Sequence, residues 1–361
     1  MGSLLRPPAL LAAREEAAAG TITAAELRAA EDDAIRDVVA LQRDAGLRSV
    51  TDGEFRRASW HMDFIYQIGG VERAPGHLTS RFTNPGGTIE FTPPAIRVTR
   101  KVTMDTTIFG DDFAFLRSVA PEGMTPKLTI PAPSMVHYRS GLKAVLDQAV
   151  YPDPEEFWDD VSAAYAEQVR RTGALGCTYL QFDDTSLAYL NDPAQRAYIA
   201  ERGEDAGRMH LRYIALTNAA LKDRPDGMTV TTHLCRGNYR SSWVASGGYD
   251  YVAEPLFSEL DVDGFFLEFD DERSGGFEPL RFVPKGKRVV LGLVTTKRPD
   301  LESKDDLKRR VDEAARYVDL DQLCLSGQCG FSSTAEGNAL TIDDEIAKLR
   351  LITETAAEIW G

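Results

Sequence analysis

A histidine and a cysteine stand one residue apart in the stretch TTHLCRGNY, residues 231–239, at the end of an apolar, β-branched run. In a β-strand, residues i and i+2 point to the same face, so His233 and Cys235 would direct an imidazole and a thiol into one space. Both groups bind metals. An isolated pair of this kind is more often two packed core side chains than half of a metal site, so the rest of the chain must decide.

Other chemically active side chains also lie at the ends of apolar runs. The runs are RSVTDGEF (48–55), YLQFDDTS (179–186), GFFLEFD (264–270) and QLCLSGQCG (322–330). They carry Glu54, Asp183, Glu268 and Cys329. A carboxylate in an apolar strand is costly to bury unless it is paired or bound to a metal. One imidazole, two thiolates and a carboxylate make a tetrahedral zinc set, because zinc accepts N, S and O ligands. The histidine and the two cysteines of such a set would be His233, Cys235 and Cys329, while the strand ends offer several carboxylates, namely Asp52, Glu54, Asp183, Asp184, Glu268 and Asp270.

Each of these residues also has a structural interpretation. Cys329 could be a buried packing thiol, since cysteine is among the most buried residue types. Glu268 could belong to an internal ion pair, and Asp183 and Asp184 could cap the following helix. The shared placement at strand ends favours a site. Cys177 and Cys324 lie at strand starts or in mid-strand, and we interpret them as packing residues.

The elements that would position these side chains alternate between strand and helix. Besides the four runs above, strands are predicted at 127–135, 228–235 and 288–296, and helical spacing with acidic first turns marks 24–46, 153–176 and 303–320. Such alternation indicates βαβ units and a parallel sheet. An eighth strand is expected in MGSLLRPP, residues 1–8, and eight units of this size predict a single (β/α)8 barrel over residues 1–361. An open doubly wound sheet is the alternative, but no G-x-G-x-x-G follows an early strand.

The stretch 56–126 is too long for one connection and is predicted to be an insertion after the second strand. Its segment GTIEFTPPAIRVTRKVTM, residues 87–104, is typical of a hairpin, and we expect it over the mouth of the barrel as a lid. In a barrel the chemistry lies at the carboxyl ends of the strands, which is where the candidate residues fall.

Composition limits the partners. A net charge of −15 argues against nucleic acid and anionic membranes. No stretch reaches the roughly 18 apolar residues of a membrane span, and the N-terminus lacks the blocks of a signal peptide. Four cysteines in so long a chain suggest thiols or ligands rather than disulfides. We therefore expect a cytoplasmic enzyme or binding protein, with a homo-oligomer as the default for such enzymes.

The motifs resemble those of the cobalamin-independent methionine synthase family. HLC (233–235), the glutamate of FFLEF (Glu268) and the cysteine of GQCGF (Cys329) are similar to that family's zinc ligands. TDGEFRR (51–57) resembles its homocysteine-binding segment at Glu54, and LQFDDTS (180–186) resembles another substrate segment at Asp183. MGSLLRP (1–7) is similar to a third, matching Gly2 and Ser3. The resemblance covers nearly the whole chain and implies a short, single-barrel member with only the catalytic barrel.

Two positions depart from the family pattern. The family's catalytic histidine corresponds to Lys297 in GLVTTKRP, residues 292–299, so the resemblance implies Lys297 and Asp183 as catalytic residues. The family's folate-contacting tryptophan and glutamate have no clear match in PSMVHYR or TSLAYL. The alkyl donor therefore stays open between methylfolate, a methylated corrinoid and a small methylated compound.

The resemblance implies a zinc-dependent S-methyltransferase that makes methionine from homocysteine. Coordination to zinc turns a thiol, with a pKa near 8.5, into a thiolate nucleophile. By resemblance, Glu54, Asp183, Gly2 and Ser3 would bind the amino-acid ends of the acceptor. Two alternatives stay open. One is alkylation of another thiol, as in epoxyalkane:coenzyme M transferases, which would not need an ammonium anchor. The other is a non-catalytic zinc- or thiol-binding protein.

Overall fold

Strands and helices alternate along most of the chain in the computed structural model, which describes residues 2–76, 79–92, 94–138 and 140–361. The strands are β1 (Ser49–Val50), β2 (Gly69–Ala74), β3 (Ser80–Asn84), β4 (Gly87–Phe91), β5 (Ala95–Thr103), β6 (Thr125–Pro126), β7 (Leu128–Pro131), β8 (Tyr179–Asp184), β9 (Thr229–Leu234), β10 (Gly264–Glu268), β11 (Arg288–Val294) and β12 (Leu323–Gly327). The helices are α1 (Pro8–Ala18), α2 (Ala24–Asp44), α3 (Met62–Ile65), α4 (Gly110–Val119), α5 (Leu142–Val145), α6 (Pro154–Ala174), α7 (Ser186–Tyr189), α8 (Pro193–Glu201), α9 (Met209–Leu221), α10 (Ala253–Glu259), α11 (Lys304–Ala314) and α12 (Ile342–Trp360).

Six parallel strands form the central sheet in the order β12-β11-β10-β9-β8-β7. Each of these strands pairs with its neighbour in sequence, as βαβ units require. β1 pairs in parallel with β6, which Lys127 alone separates from β7, so β1 extends the same order by one strand. The central strands are buried on both faces, as expected where helices cover a parallel sheet. The predicted α/β class is confirmed.

The predicted eighth strand is not formed. Residues 2–7 have no strand geometry, and the described residues contain no strand pairing between β12 and β1. The N-terminal segment instead bridges the two edges by single hydrogen bonds. The Leu4 N–H donates to the Gly53 carbonyl at 3.1 Å, and the Phe331 N–H donates to the Ser3 carbonyl at 3.0 Å. Closure into a (β/α)8 barrel therefore stays a prediction.

Local sequence accounts for where the principal helices begin. Thr23 forms a capping box with Glu26 at the start of α2. The Asp153 carboxylate caps α6, and Pro154 occupies its first turn, where a missing N–H costs nothing. The Ser303 hydroxyl caps α11. These three helices begin within two residues of the predicted positions, although α11 ends at Ala314 rather than at residue 320.

The 56–126 region contains one long antiparallel β-arm. β2 pairs with β5, and β3 pairs with β4 across a turn in which Asn84 faces Gly87. The stretch 87–104 is thus only the second half of the arm, and the expectation of a hairpin closed within it is wrong. Pro85 and Gly86 make the turn, since proline presets φ and glycine adopts turn conformations without steric cost.

Two apolar clusters stabilise the fold. The larger surrounds the parallel sheet, and the smaller packs α1 and α2 against the N-terminal segment, with Leu4, Ile35 and Phe331 among its members. Within the described ranges, no helix is both long enough and apolar enough to cross a membrane.

Candidate active site

Four predicted metal ligands meet at the carboxyl ends of the central strands. His233 lies near the end of β9, Glu268 ends β10, and Cys235 and Cys329 follow β9 and β12. All four are buried, and one candidate ligand atom from each lies within 4.8 Å of the other three. The strands place them there because parallel neighbours end at the same edge of the sheet.

The ring of His233 has a defined orientation. Its Nδ1 lies 3.2 Å from Asp183 Oδ1 on the neighbouring strand, where Asp183 and His233 are register partners. A carboxylate that accepts from Nδ1–H is the usual arrangement behind a histidine that binds a metal through Nε2. Nε2 lies 3.2 Å from the Gln328 carbonyl, a contact that a metal would replace. His233 Nε2 lies 3.8 Å from Glu268 Oε1, and the Cys235 and Cys329 sulfur atoms are 3.5 Å apart. Asp183 therefore supports a ligand directly.

The side chains of the cluster shift one another's pKa values strongly. Burial disfavours the charged imidazole, but the carboxylates of Asp183 and Glu268 raise the pKa of His233 to about 10. Burial likewise opposes ionisation of Glu268, yet His233 and the charges of Lys297 and Arg273 lower its pKa to about 2. A hydrogen bond from the Cys235 thiol lowers the pKa of Cys329 to about 7. The carboxylate and the acidified thiol suit the binding of a positive ion, which would replace the proton on His233 Nε2 because a metal-bound imidazole is neutral.

Three supporting residues were not identified from the sequence. The Arg236 N–H donates to Glu268 Oε2 at 3.1 Å, and its guanidinium donates to the Glu268 carbonyl at 2.8 Å. The Tyr249 hydroxyl accepts from the Glu268 N–H at 2.8 Å. The Gln328 amide lies 3.3 Å from Glu268 Oε1. Two sequence features could have indicated them, namely the arginine directly after the H-x-C pair and the glutamine of GQCG.

A cavity of about 500 Å³ adjoins the cluster. His233, Cys235 and Cys329 form part of its wall. Its lining also contains the four predicted substrate-binding residues, which are Gly2, Ser3, Glu54 and Asp183. Residues from distant parts of the chain therefore meet beside the cluster, as the sequence motifs had suggested.

Glu54 is buried rather than part of a surface ion pair. Its Oε1 accepts from the Thr129 hydroxyl at 2.7 Å and lies 3.5 Å from the Arg57 guanidinium. Burial raises the pKa of Glu54, although Arg57 opposes the shift. Its backbone φ of 59° is in the left-handed region, which costs free energy for a residue with a Cβ. The strained backbone holds this carboxylate at the cavity wall.

The N-terminal segment packs tightly beside Glu54. A Cβ on Gly2 would lie 2.4 Å from Glu54 Oε1, and a Cβ on Gly330 would lie 2.0 Å from the Ser3 hydroxyl. Only glycine allows these approaches. Gly2 and Ser3 thus lie between Glu54 and the loop that carries Cys329.

Lys297 is not among the residues that line the cavity, although its charge acts on the thiols of Cys235 and Cys329, which do line it. Its side chain is buried, and within the described part of the chain its Nζ has no hydrogen-bond partner and does not line the cavity. Its positive charge acts on Glu268, as noted above. Cys177 and Cys324 do not belong to the four-residue cluster.

Comparison with known proteins identifies relatives over the whole chain. The family model described as "Cobalamin-independent synthase, Catalytic domain" matches residues 1–357. The uncharacterized protein YxjG of Bacillus subtilis (strain 168) is 45% identical over 361 residues, which cover 100% of this chain and 93% of the relative.

Solved structures share the fold. A candidate vitamin-B12 independent methionine synthase from Listeria monocytogenes superposes with a TM-score of 0.79 at 34% identity, covering 100% of this chain and 96% of that one. A B12-independent methionine synthase from a Shewanella species, in complex with selenomethionine, superposes with a TM-score of 0.71 at 20% identity, covering 99% and 95% of the two chains. The second likeness concerns the fold alone.

Proposed function

The chain belongs to the cobalamin-independent synthase catalytic-domain family, and from this membership we propose that it is a zinc-dependent S-methyltransferase that converts homocysteine to methionine. The observation that carries the proposal is the buried cluster of His233, Cys235, Glu268 and Cys329 beside a cavity lined by Glu54. The cluster offers a place for a thiol-binding metal, and the cavity offers an acidic partner for an amino-acid substrate.

The donor set fits zinc. Zinc binds cysteine sulfur at about 2.3 Å and histidine nitrogen or carboxylate oxygen at about 2.0–2.2 Å, so in a tetrahedron two sulfurs lie about 3.8 Å apart and a nitrogen and an oxygen about 3.3–3.6 Å apart. The two cysteine sulfur atoms are 3.5 Å apart, and His233 Nε2 lies 3.8 Å from Glu268 Oε1. When bound, zinc would lower the pKa of a substrate thiol and keep it as a thiolate. His233, Cys235, Glu268 and Cys329 would hold the ion, and Asp183 would fix the imidazole.

Glu54 is the proposed ammonium anchor for homocysteine. It is buried at the cavity wall, and an incoming ammonium would offset the desolvation of its carboxylate. Asp183 has a hydrogen bond to His233, so in this proposal its first role is to orient a ligand and its second is to add negative charge near the ammonium. The Ser3 hydroxyl is suited to the substrate carboxylate, because a hydroxyl can donate to it.

We further propose that residues 1–361 form a single catalytic domain, in which the N-terminal segment completes a (β/α)8 barrel. The bridging hydrogen bonds of Leu4 and Ser3 support this arrangement. The β2–β5 arm would cover the mouth of the barrel and keep water from the reacting sulfur.

The test is turnover by zinc-loaded protein. The protein is incubated with homocysteine and a panel of methyl donors, and methionine is measured by mass spectrometry. Methionine formation that depends on both zinc and homocysteine supports the proposal. Stoichiometric zinc without turnover on any donor would favour the non-catalytic alternative. In a parallel reaction with mercaptoethanesulfonate and an epoxide, formation of the thioether adduct, with no methionine from homocysteine, would favour the epoxyalkane-type alternative.

A further inference from the structure

The part of the cavity beyond the metal cluster has an aromatic wall. The rings come from the loop after β1, from the β-arm and from the loop after β9, and they are Trp60, Tyr66, Phe82, Phe91 and Tyr239. Phe91 stacks on Tyr239 with ring centroids 4.7 Å apart, and Phe82 approaches the same tyrosine at 5.3 Å. Tyr239 is thus the centre of a three-ring group that faces the cavity.

The β3–β4 end of the β-arm, which carries two of these rings, is hydrogen-bonded to the loop after β9. Thr83 of β3 exchanges two backbone hydrogen bonds with Trp243, at 2.7 and 2.9 Å. The Asn84 amide donates to the Ser242 hydroxyl at 2.8 Å. The arm is therefore tied to the loop that follows the H-x-C strand. A cavity of about 500 Å³ that also receives the thiol substrate has room for a small donor.

The charge of the lining favours a cation. Among the described residues around the cavity, four carry carboxylates and one carries a guanidinium, and the imidazole of His233 pairs with one of the carboxylates, that of Asp183. The carboxylates are Glu54, Asp63, Asp183 and Glu336. The guanidinium belongs to Arg73 and lies over the Tyr66 ring at 4.3 Å. Aromatic faces together with an acidic excess attract methylated cations and repel polyanions.

We propose that the methyl donor is a small onium compound, either a methylsulfonium or a quaternary methylammonium, held against Tyr239, Phe82 and Phe91. This inference rests on the function proposed above and specifies its second substrate. The thiol sulfur forms a bond to the methyl carbon as the bond from that carbon to the onium atom breaks. The electron pair of the broken bond stays on the leaving atom, which departs as a neutral thioether or tertiary amine. The thiol proton passes to solvent, and no oxidant or reductant is needed.

This chemistry suits the residues at the cavity. The leaving group is neutral as soon as the bond breaks, so the donor needs no proton from the protein. The buried ammonium of Lys297, which does not line the cavity, is then not required to protonate a leaving group.

The first test measures binding without turnover. Choline and its neutral carbon isostere 3,3-dimethylbutan-1-ol are titrated calorimetrically into wild type, Tyr239→Leu and Tyr239→Phe. We expect choline to bind wild type and the isostere to bind at least tenfold more weakly. Tyr239→Leu should lose about 3- to 30-fold in choline affinity, and Tyr239→Phe, which keeps the ring, should recover most of it. Equal binding of choline and its isostere would overturn the proposal, as would an unchanged affinity in a folded Tyr239→Leu protein.

The second test measures the source of the methyl group. Zinc-loaded protein and homocysteine labelled in its carbon backbone receive S-methylmethionine, glycine betaine, methyltetrahydrofolate or methylcobalamin in separate reactions. Backbone-labelled methionine from the first donor assigns the sulfonium, and from the second the ammonium. Methionine only from methyltetrahydrofolate or methylcobalamin overturns this inference and leaves the methyltransferase proposal intact. No methionine from any donor, despite homocysteine binding, overturns both.

Discussion

Cys329 is the side chain on which the metal hypothesis depends most directly, because it lies 94 residues from its nearest sulfur neighbour, Cys235, and yet only 3.5 Å from it. We predict that Cys329→Ser loses most of the bound zinc, because a thiolate ligand is replaced by a poorly ionised hydroxyl. Metal content after dialysis, measured by plasma mass spectrometry, checks this. Cys177→Ser and Cys324→Ser are the matched controls and should keep about one zinc per chain. Full metal content in Cys329→Ser would remove that residue from the site.

The second prediction at the residue scale concerns the carboxylate of Glu54 and its effect on homocysteine affinity. Glu54→Gln keeps the side-chain shape but loses the charge that would face the substrate ammonium. The expected loss is about 1.5–3 kcal/mol, or roughly ten- to hundredfold in homocysteine affinity. Calorimetry on wild type and variant measures it. Binding of mercaptopropionate, which has no amine, and zinc content should be unaltered. Equal wild-type affinities for homocysteine and for amine-free thiols would contradict an amino-acid acceptor.

The third prediction at the residue scale concerns Lys297, whose side chain is buried. A buried lysine with no hydrogen-bond partner among the described residues is costly, so its charge should serve the neighbouring acids. We expect Lys297→Ala to lower turnover on the best donor while thiol binding stays intact. Lys297→Arg, which keeps the charge, should recover part of the rate. A Lys297→Ala rate equal to that of wild type would make this lysine a bystander.

Among the elements, the β-arm packs against the core through β5, and its β3–β4 end is joined to the loop after β9 by few hydrogen bonds. The Asn84 amide supplies one of these bonds, to the Ser242 hydroxyl. We predict that Asn84→Ala raises the KM for the methyl donor about fivefold, in line with the loss of one hydrogen bond of about 1 kcal/mol. Homocysteine affinity and zinc content should not change, because Glu54 and the metal ligands lie on other elements. Steady-state kinetics with the donor varied measure the effect.

The control for the arm is Arg81→Ala. Arg81 pairs with Glu90 on the same arm, but both side chains are exposed, and exposed ion pairs contribute little. Its kinetics should match those of wild type. If Asn84→Ala and Arg81→Ala had the same KM for the methyl donor, the hydrogen bond between Asn84 and Ser242 would have no role in donor binding.

For the whole molecule, we predict from Glu345 how the free energy of unfolding depends on pH. This glutamate lies on α12 and accepts from the Leu5 N–H at 2.8 Å, so it ties the N-terminal segment to the last helix. Burial raises the pKa of Glu345 from 4.5 to about 8. The folded state therefore holds a proton that the unfolded state releases above pH 4.5. Its stabilising contribution is complete below about pH 4.5 and is lost as pH rises through about 8.

Glu345→Gln removes this titration and keeps an acceptor for Leu5. We expect the free energy of unfolding of the wild type to fall more than that of the variant between pH 6 and pH 9, by about 1–3 kcal/mol, since one pKa unit corresponds to about 1.4 kcal/mol. Urea unfolding at both pH values measures the difference. Parallel losses in the two proteins would show that Glu345 does not control this dependence.

Much of the architecture follows from local sequence. Each of the seven predicted strand segments contains a strand, and the caps at Thr23, Asp153 and Ser303 mark helix starts, because hydrophobic periodicity and capping act over a few residues. The spacing of His233 and Cys235 is equally local, and the family motifs gave the other predicted ligands. What the sequence determined by itself was thus the type of each element and the residues that could do chemistry.

The tertiary structure decided which of these features meet. The pairing of β4 with β3 rather than with β5 depends on where the chain turns, and the N-terminal segment bridges two strands without becoming one. Arg236 and Gln328, which adjoin Cys235 and Cys329 in sequence, support Glu268 on another strand, and Lys297 does not line the cavity. Local patterns carry no information on contacts between residues tens to hundreds of positions apart. Such contacts are selected by the packing of the whole chain, where burial and the pairing of buried polar groups must be satisfied together.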